Sequence, residues 1–392
     1  MKAATRRVDH DFDLNDVARG DGFLFVRDGV GVAGRDVAAR VSAVEAVEFL
    51  ATIEHDDESA GRSGPIALGS LPFTPGDPEL IVPARMVRKH ADGSRWLTII
   101  DGAPVADLFD ALPTVPGSGR FRVEPLTPLA TYRAAVTAAR DSVRRGDLVK
   151  AVIARQIAVE CDVPIDVHAV LLRLRASFGS SYRYSIDGFI GASPELLVSV
   201  DDDVITSHPL AGTTPRSGDP ETDRLLAERL VASMKDQIEH RVVIDVVHDT
   251  LLPHCSYLDW EPEPSVVPVA NVQHLGTRIE GRLSSPHPDV LSLARSLSPT
   301  PALGGHPRVD ALELIAAVEG FDRGPYGGAV GWVDASGNGT WAVAIRCAQL
   351  SLDRRRAVLT AGGGIVADSV VDAELAETQA KFQAMLSALI RA

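Results

Sequence analysis

Cysteine is scarce in this sequence of 392 residues, which contains only Cys161, Cys255 and Cys347. The three are far apart and odd in number, so they form neither a disulfide framework nor the closely spaced pairs of a zinc site. We therefore expect a protein of the reducing cytoplasm, without structural disulfides or a cysteine-bound metal.

Long apolar runs and an excess of positive charge are also missing. No stretch approaches the ~18 apolar residues of a membrane helix, and the charged start MKAATRRVDHDFDLND does not have the apolar core of a signal peptide. Lysine and arginine number 39 against 53 acidic residues, a net charge of −14. This balance argues against nucleic acid or a membrane as partners, but a locally positive site or a metal can still hold a small anion.

What is present is a chain with 45% hydrophobic and 23% charged residues, long enough for one large or two ordinary domains. Residues 1–20 are predicted to be a loose leader. Residues 21–128 are interpreted as a strand-rich scaffold, with a hairpin turn at Asp28-Gly29 and a link from Pro113 to about Pro128. Residues 129–392 carry the motifs that indicate chemistry.

Two segments place acidic side chains on one face of a predicted helix. Glu374, Glu377 and Lys381 are spaced i, i+3 and i+7, and Asp236 and Glu239 are spaced i, i+3 in KDQIEHRVVIDVV. Four carboxylates on two helices would form an oxygen site suited to Mg²⁺. An isolated pair of this kind is more often a solvated helix face, so the prediction depends on the rest of the chain.

Three charged residues interrupt apolar segments. Lys150 lies in the strand-like DLVKAVIARQIAVE, where it either extends from an edge strand to solvent or points into a site as a base. Glu195 follows Pro194 in GASPELL, at a predicted edge or bulge, although a lone glutamate at a strand start is usually solvated. Arg346 in AVAIRCA needs an anionic partner, which is either a substrate carboxylate or a structural ion pair.

Several small-residue motifs allow close approach of a ligand. Gly212 and Thr213 in PLAGTTPR form a turn whose amides and hydroxyls can bind a carboxylate. His274 is at the centre of a predicted strand, and Tyr326 precedes a Gly-Gly pair. The run Gly362–Gly364 lets the backbone lie close to a ligand or another strand.

Taken in order, these motifs resemble those of the chorismate-utilising enzymes, from about Thr131 to Leu389. The matching segments are DLVKAVIAR, GASPELL, PLAGTTPR, KDQIEH, VQHLGT, PTPALGGHP, FDRGPYGGAVGW, VAIRCA, AGGGIVADS and ELAETQAK. The resemblance implies an α+β fold in which two antiparallel sheets pack face to face, with helices outside and the site in a cleft between the sheets.

The resemblance also implies an activity. The loop PTPALGGHP resembles that of the members that form isochorismate, and Ala211 stands where aminodeoxychorismate-forming members carry a nucleophilic lysine. We therefore expect conversion of chorismate to isochorismate, feeding menaquinone or siderophore synthesis, by a cytoplasmic monomer. Two alternatives stay open: a further elimination of pyruvate to give salicylate, and binding of chorismate without catalysis.

Residue roles follow from the same resemblance. Lys150 would be the general base that activates a water for attack on C2, and Glu195 the general acid that protonates the departing C4 hydroxyl. Mg²⁺ is the implied cofactor, with Glu239 and Glu377 as ligands and Asp236 and Glu374 near it. The implied substrate-binding residues are Gly212, Thr213, His274, Tyr326, Arg346, Gly363 and Lys381.

Overall fold

The strands and helices below come from a computed structural model that describes residues 1–110, 119–269 and 272–390. The strands of the first third are β1 (Lys2–Arg7), β2 (Phe23–Arg27), β3 (Val30–Ser42), β4 (Glu54–Asp57), β5 (Ile66–Leu71), β6 (Glu79–Lys89), β7 (Arg95–Ile100) and β8 (Phe121–Pro125). The middle of the chain contributes β9 (Lys150–Cys161), β10 (Tyr182–Ile186), β11 (Phe189–Ser193), β12 (Leu196–Asp201), β13 (Val204–His208), β14 (Leu210–Pro215), β15 (Cys255–Trp260), β16 (Ser265–Pro268), β17 (Val272–Gly276) and β18 (Ile279–Leu283). The last strands are β19 (Gly305–His306), β20 (Ala329–Asp334), β21 (Gly339–Val343), β22 (Cys347–Leu350) and β23 (Arg356–Ile365).

The helices are concentrated in the last two thirds of the chain. They are α1 (Leu14–Ala18), α2 (Ala46–Ala51), α3 (Leu129–Arg145), α4 (Val167–Phe178), α5 (Pro220–Ala232), α6 (Met234–Leu251), α7 (Val290–Leu297), α8 (Arg308–Glu319) and α9 (Val371–Ile390), with a 3₁₀ turn at Leu252–His254. Within the described residues, no helix combines the length and apolar character needed to cross a membrane.

The strands form two large antiparallel layers. The first runs β4–β1–β7–β6–β3–β2–β10–β11–β22–β23–β9–β8, with only β1–β4 parallel. The second runs β5–β20–β21–β12–β13–β18–β15, and β5 meets β6 at the pair Leu68 and Ile81. A small sheet, β14–β17–β16, stands apart.

The main core joins side chains of both layers, such as Tyr184 and Phe189 of the first with Leu197 and Trp341 of the second. Apolar faces of α4 and α9 cover the outside of the first layer, and α3 and α8 cover β9. The expected α+β fold, with two antiparallel sheets and helices outside, is confirmed.

Two connections cross from one layer to the other at the same place. Pro194 and Glu195 lie between β11 in the first layer and β12 in the second, and Arg346 lies between β21 and β22. The connections are hydrogen-bonded to each other's strands, because Val343 N donates to Glu195 O (3.0 Å) and Ala192 N to Arg346 O (3.1 Å). The pairing of β12 is irregular from Leu196 onwards, which fits the bulge predicted at Pro194.

The prediction of a loose leader at residues 1–20 is wrong. Strand β1 lies between β4 and β7, with Ala3 and Thr5 buried, and Leu14 and Val17 of α1 are buried against the outside of the first layer. The apolar residues of this segment are dispersed among charged ones, and in β1 the face of the buried Ala3 and Thr5 ends in the exposed Arg7, so its alternation gives a weak signal. The hairpin at Asp28-Gly29 is confirmed by the β2–β3 pairing.

The predicted link from Pro113 to about Pro128 is partly wrong. Residues 113–118 lie outside the described residues. Phe121–Pro125 is not a linker but strand β8, which pairs with the end of β9. Because its partner strand comes later in the chain, the pairing leaves no local sequence signal.

Candidate active site

A pocket of about 80 Å³ opens beside the two crossing connections, between β9, β14, β23 and the helices α6 and α9. Ten of the residues predicted from the sequence line it: Lys150, Glu195, Gly212, Thr213, Glu239, His274, Tyr326, Arg346, Glu377 and Lys381. Asp236, Gly363 and Glu374 are not in its wall. Residues more than 200 positions apart in the chain are therefore brought to one small cavity.

Glu195 is a buried acidic residue in the wall of this pocket. Its side chain is buried, and its Oε1 accepts a hydrogen bond from Leu210 N at 3.3 Å. Burial raises the pKa of Glu195 to about 7, against the opposing effects of the Leu210 hydrogen bond, Lys150 and Arg346. A carboxyl group with such a pKa retains its proton near neutral pH and can donate it.

Lys150 begins β9 and is buried, which excludes the alternative of a lysine extending from an edge strand to solvent. Its Nζ donates to Glu239 Oε1 at 2.5 Å. Gly364 on the neighbouring strand leaves room for it, because a Cβ at that position would lie 2.6 Å from Lys150 Cε. The lack of a side chain at Gly364 therefore makes room for the Lys150 side chain as well as for a ligand.

Arg346 is the most exceptional residue of the pocket. It is buried and has a positive φ of 53°, a conformation that a non-glycine residue adopts only under tertiary constraint. Its Nε has no hydrogen-bond partner, and it forms no ion pair with any residue that the structure describes. The structural ion pair considered as an alternative is not observed, so the guanidinium is available to an anionic ligand.

His274 supports the arginine and the Gly-Thr turn. Its Nδ1 lies 3.0 Å from Thr213 Oγ1 and 3.2 Å from Gly212 O, and its Nε2 lies 3.5 Å from an Arg346 Nη. Burial, followed by the charge of Arg346, lowers the pKa of His274 to about 3, so the ring is neutral. Tyr326 is a neutral donor in the same wall, because burial raises its pKa to about 12.

Two lysine–glutamate pairs lie in the pocket wall. Lys150 pairs with Glu239, and Lys381 pairs with Glu377 at 2.6 Å while also donating to Gly362 O at 2.8 Å. Burial acts to raise the pKa values of both glutamates, but the lysines outweigh it and hold both pKa values below their usual range. Both carboxylates are therefore ionised.

The predicted metal ligands do not all face the pocket. Glu239 and Glu377 face the pocket, and Glu374 lies behind Gly363, with a buried Oε2 that has no hydrogen-bond partner. Nowhere in the described ranges are three or more histidine, cysteine or acidic side chains grouped so as to hold a metal by themselves. The residues fit Mg²⁺ bound by one or two carboxylates with waters and substrate, which is how it usually binds, but not a closed cage.

The three glycines of the run Gly362–Gly364 do not all face the pocket. Gly362 and Gly364 line the pocket, whereas a Cβ on Gly363 would lie 2.9 Å from Glu374 Oε2. Gly363 thus accommodates the carboxylate behind the pocket and does not face the cavity. Alternate residues of a strand point to opposite sides, and the run could not be assigned a side before its sheet was known.

Sequence reasoning missed a buried ion pair beside the site. Glu319 and Arg323, each 1% exposed, are joined by Arg323 Nε to Glu319 Oε2 at 2.8 Å. Glu319 also accepts from Ala154 N (2.6 Å), and Arg323 donates to Leu303 O (2.9 Å) and Val152 O (2.6 Å). The i, i+4 spacing was the available signal, but exposed helix pairs have the same spacing.

The fold and the site together define a class: enzymes with two antiparallel layers whose crossing connections bring a buried acid and a buried arginine beside a buried lysine. The chain belongs to the family of chorismate-binding enzymes, because the model of that family matches residues 119–390.

Similar proteins agree with this membership. The chain is 40% identical over 348 residues to "Putative isochorismate synthase MenF" of Mycobacterium tuberculosis, covering 85% of this chain and 89% of the relative. It is 36% identical over 344 residues to isochorismate synthase DhbC of Bacillus subtilis, covering 85% and 82%. The fold matches that of MenF, the menaquinone-specific isochorismate synthase of Escherichia coli, with a TM-score of 0.85 at 24% identity, covering 99% of this chain and 94% of that one.

Proposed function

We propose that this protein is an isochorismate synthase, an isomerase that adds water at C2 of chorismate and removes the C4 hydroxyl. The observation that carries the proposal is the combination, in one pocket, of a buried Glu195 whose pKa is raised to about 7, a buried Lys150 and a buried Arg346 without an ion pair. The relatives that are named isochorismate synthases support the choice of reaction.

The reaction needs one base and one acid. Lys150 takes the proton of the attacking water, and Glu195 gives its proton to the departing hydroxyl, which leaves as water. The ion pair with Glu239 positions the Lys150 amine in the pocket wall. Lys150 acts as the base in its neutral form, since only a free lone pair can accept a proton.

The charges of the pocket suit a dianionic substrate in an acidic protein. The basic side chains Lys150, Lys381 and Arg346 share the wall with two ionised carboxylates, Glu239 and Glu377. Arg346 can bind a carboxylate through two parallel hydrogen bonds, with Tyr326 and Thr213 as further donors. Arg346, together with Mg²⁺ where it binds, would offset the repulsion expected from a chain with a net charge of −14.

Mg²⁺ is proposed as the cofactor, held by Glu239 and Glu377, with Glu374 and Asp236 beyond them. Bound there, the ion would supply positive charge that neutralises a substrate carboxylate. Glu239→Gln or Glu377→Gln should abolish activity while the protein stays folded, and EDTA should do so reversibly. The matched control is Asp245→Asn, an exposed carboxylate on α6 that pairs with Arg241. Full activity in EDTA would refute the cofactor.

The test of the reaction is incubation with chorismate and Mg²⁺, followed by chromatography of the products. Isochorismate alone is the expected product. Salicylate with pyruvate would identify a salicylate synthase instead, and binding of chorismate without turnover would identify a non-catalytic protein. We expect a monomer of the cytoplasm whose product enters menaquinone or siderophore synthesis.

A further inference from the structure

A second cavity, of about 430 Å³, lies on the outer side of the first sheet layer. Its wall comes from residues 11–15 around the start of α1, the turn after β2, the end of β6, the end of α4 and the middle of β10. None of its lining residues lines the active-site pocket. Its volume lies within the range of about 300–1,000 Å³ that is usual for small-molecule sites.

Arg183 of β10 is the notable group in this wall. It is 2% exposed, and one Nη donates to Asn15 Oδ1 at 3.0 Å. Its Nε is buried without a partner, and none of the ion pairs of the described residues includes it. The rest of the sequence offers no counter-ion for Arg183 either, because it contains no aspartate or glutamate at residues 111–118, 270–271 and 391–392.

A buried guanidinium without an ion pair is unfavourable, and the charge of Asp28 in the same wall relieves it only in part. Burial, and then the charge of Arg175, lowers the pKa of Arg183 to about 10. The cations at the rim are already paired, Arg175 with Asp13 and Lys89 with Asp11. Arg183 is therefore the group in this cavity that an added anion would compensate.

The rest of the wall indicates the kind of anion. Phe12, Leu14 and Val26 give the cavity an apolar side, and Leu14 and Val26 are buried in the outer core. An inorganic anion would pair with the guanidinium but would not pack against this apolar side. A ligand with one carboxylate and an apolar body matches both features.

We propose that this cavity is a binding site for a small organic acid, whose carboxylate pairs with Arg183 and whose apolar body packs against Phe12, Leu14 and Val26. A ligand here would tie the segment before α1 to β10. It would also lie one strand from the active site, because Arg183 is opposite Ala192 of β11, and Ala192 N donates to Arg346 O.

The test uses benzoate as the probe and follows the thermal unfolding midpoint of the full chain at constant ionic strength. A ligand that binds only the folded state raises this midpoint with increasing concentration. We expect a saturable rise with benzoate and none with benzyl alcohol, which has a similar body but no charge. No rise with benzoate, or an equal rise with the neutral analogue, would overturn the proposal.

Variants locate the site. Arg346→Met removes the anion anchor of the active site and should keep the benzoate response, whereas Arg183→Met should lose it. Loss of the response in Arg346→Met would show that benzoate binds the active site, which overturns the proposal and leaves the proposed function intact. Without benzoate, Arg183→Met should be at least as stable as the wild type, because an unpaired buried charge has been removed.

A second variant protects the test against a failure of Arg183→Met to fold. Asn15→Asp is nearly isosteric and places a carboxylate where the Asn15 amide oxygen now accepts from Arg183. It should abolish the response to benzoate, because the counter-ion is then internal. The midpoint without benzoate is not the readout for this variant, because the new carboxylate also replaces the Asn15 Nδ2 donor to Asp13 Oδ1 (2.6 Å). A full benzoate response in Asn15→Asp would overturn the proposal.

Discussion

Two buried arginines, Arg323 and Arg346, differ in whether the protein satisfies their charge and their hydrogen-bond donors. Arg323 is paired with Glu319, donates to two backbone carbonyls and lies 4.1 Å above the Phe73 ring. Arg346 has a strained backbone, an unpartnered Nε and a contact of 3.5 Å between an Nη and the His274 ring.

The difference separates support from function. The Glu319–Arg323 pair holds β9, which carries Lys150, against the loop at Leu303, and each of its contacts lies within the protein. Arg346 and Glu195 are buried at the crossing connections with hydrogen-bonding capacity unused, a state that costs stability unless a ligand satisfies it. Mutations should therefore affect stability in the first region and activity in the second.

The largest expected effect is on stability. Glu319→Gln removes the counter-charge of Arg323 and should lower the free energy of unfolding by about 3–5 kcal/mol, since it leaves a buried charge unpaired. The control is Glu228→Gln, which breaks the exposed i, i+4 pair with Arg224 and should cost about 0.5 kcal/mol or less. Denaturant unfolding measures both. If Glu319→Gln and Glu228→Gln lost equally little unfolding free energy, the Glu319–Arg323 pair would not have the structural role that distinguishes Arg323 from Arg346.

The next effect is on catalysis. Lys150→Ala and Glu195→Gln should each reduce kcat roughly 100-fold, or about 2.7 kcal/mol, in both directions of the reaction, because acid and base exchange roles on reversal. Both variants should stay folded and bind chorismate. The double variant should lose less than the product of the single losses. Near wild-type turnover of Lys150→Ala would leave the proposed mechanism without a base.

The pH dependence tests the acid by itself. Since Glu195 must be protonated, kcat should fall about tenfold per pH unit above pH about 7, and this limb should be absent in Glu195→Gln. The pKa of Glu195 in the folded protein is raised above the ordinary glutamate value of 4.5, so the folded protein binds one more proton than the unfolded chain between these values. The free energy of unfolding should thus fall relative to Glu195→Gln from pH about 4.5 to 7, then level off.

The smallest effect sharpens the comparison of the arginines directly. Arg346→Lys should raise KM for chorismate roughly tenfold with little change in stability, since an ammonium cannot form two parallel hydrogen bonds with a carboxylate. Arg323→Lys is the matched substitution and should lower stability while changing KM less. An unchanged KM for Arg346→Lys would mean that the arginine does not hold the substrate.

Several features were determined by the sequence itself. The spacing of Glu374, Glu377 and Lys381 predicts a shared helix face, and α9 places Glu377 and Lys381 in the pocket. The ordered motifs after residue 129 predicted the fold and ten pocket residues. Helix periodicity and short motifs are local properties of the chain, so they can be read without knowing which segments meet.

Other features were decided only by the tertiary structure. No local pattern places Glu195 beside Arg346, pairs Lys150 with Glu239, or turns Gly363 away from the cavity and Gly364 towards it. The sequence also left β1 looking like a loose leader, because the strands that pair with it lie some 50 and 90 residues further along the chain. Each of these depends on which distant segments share a sheet, and strand pairing is set by burial across the whole domain and not by the residues of one strand.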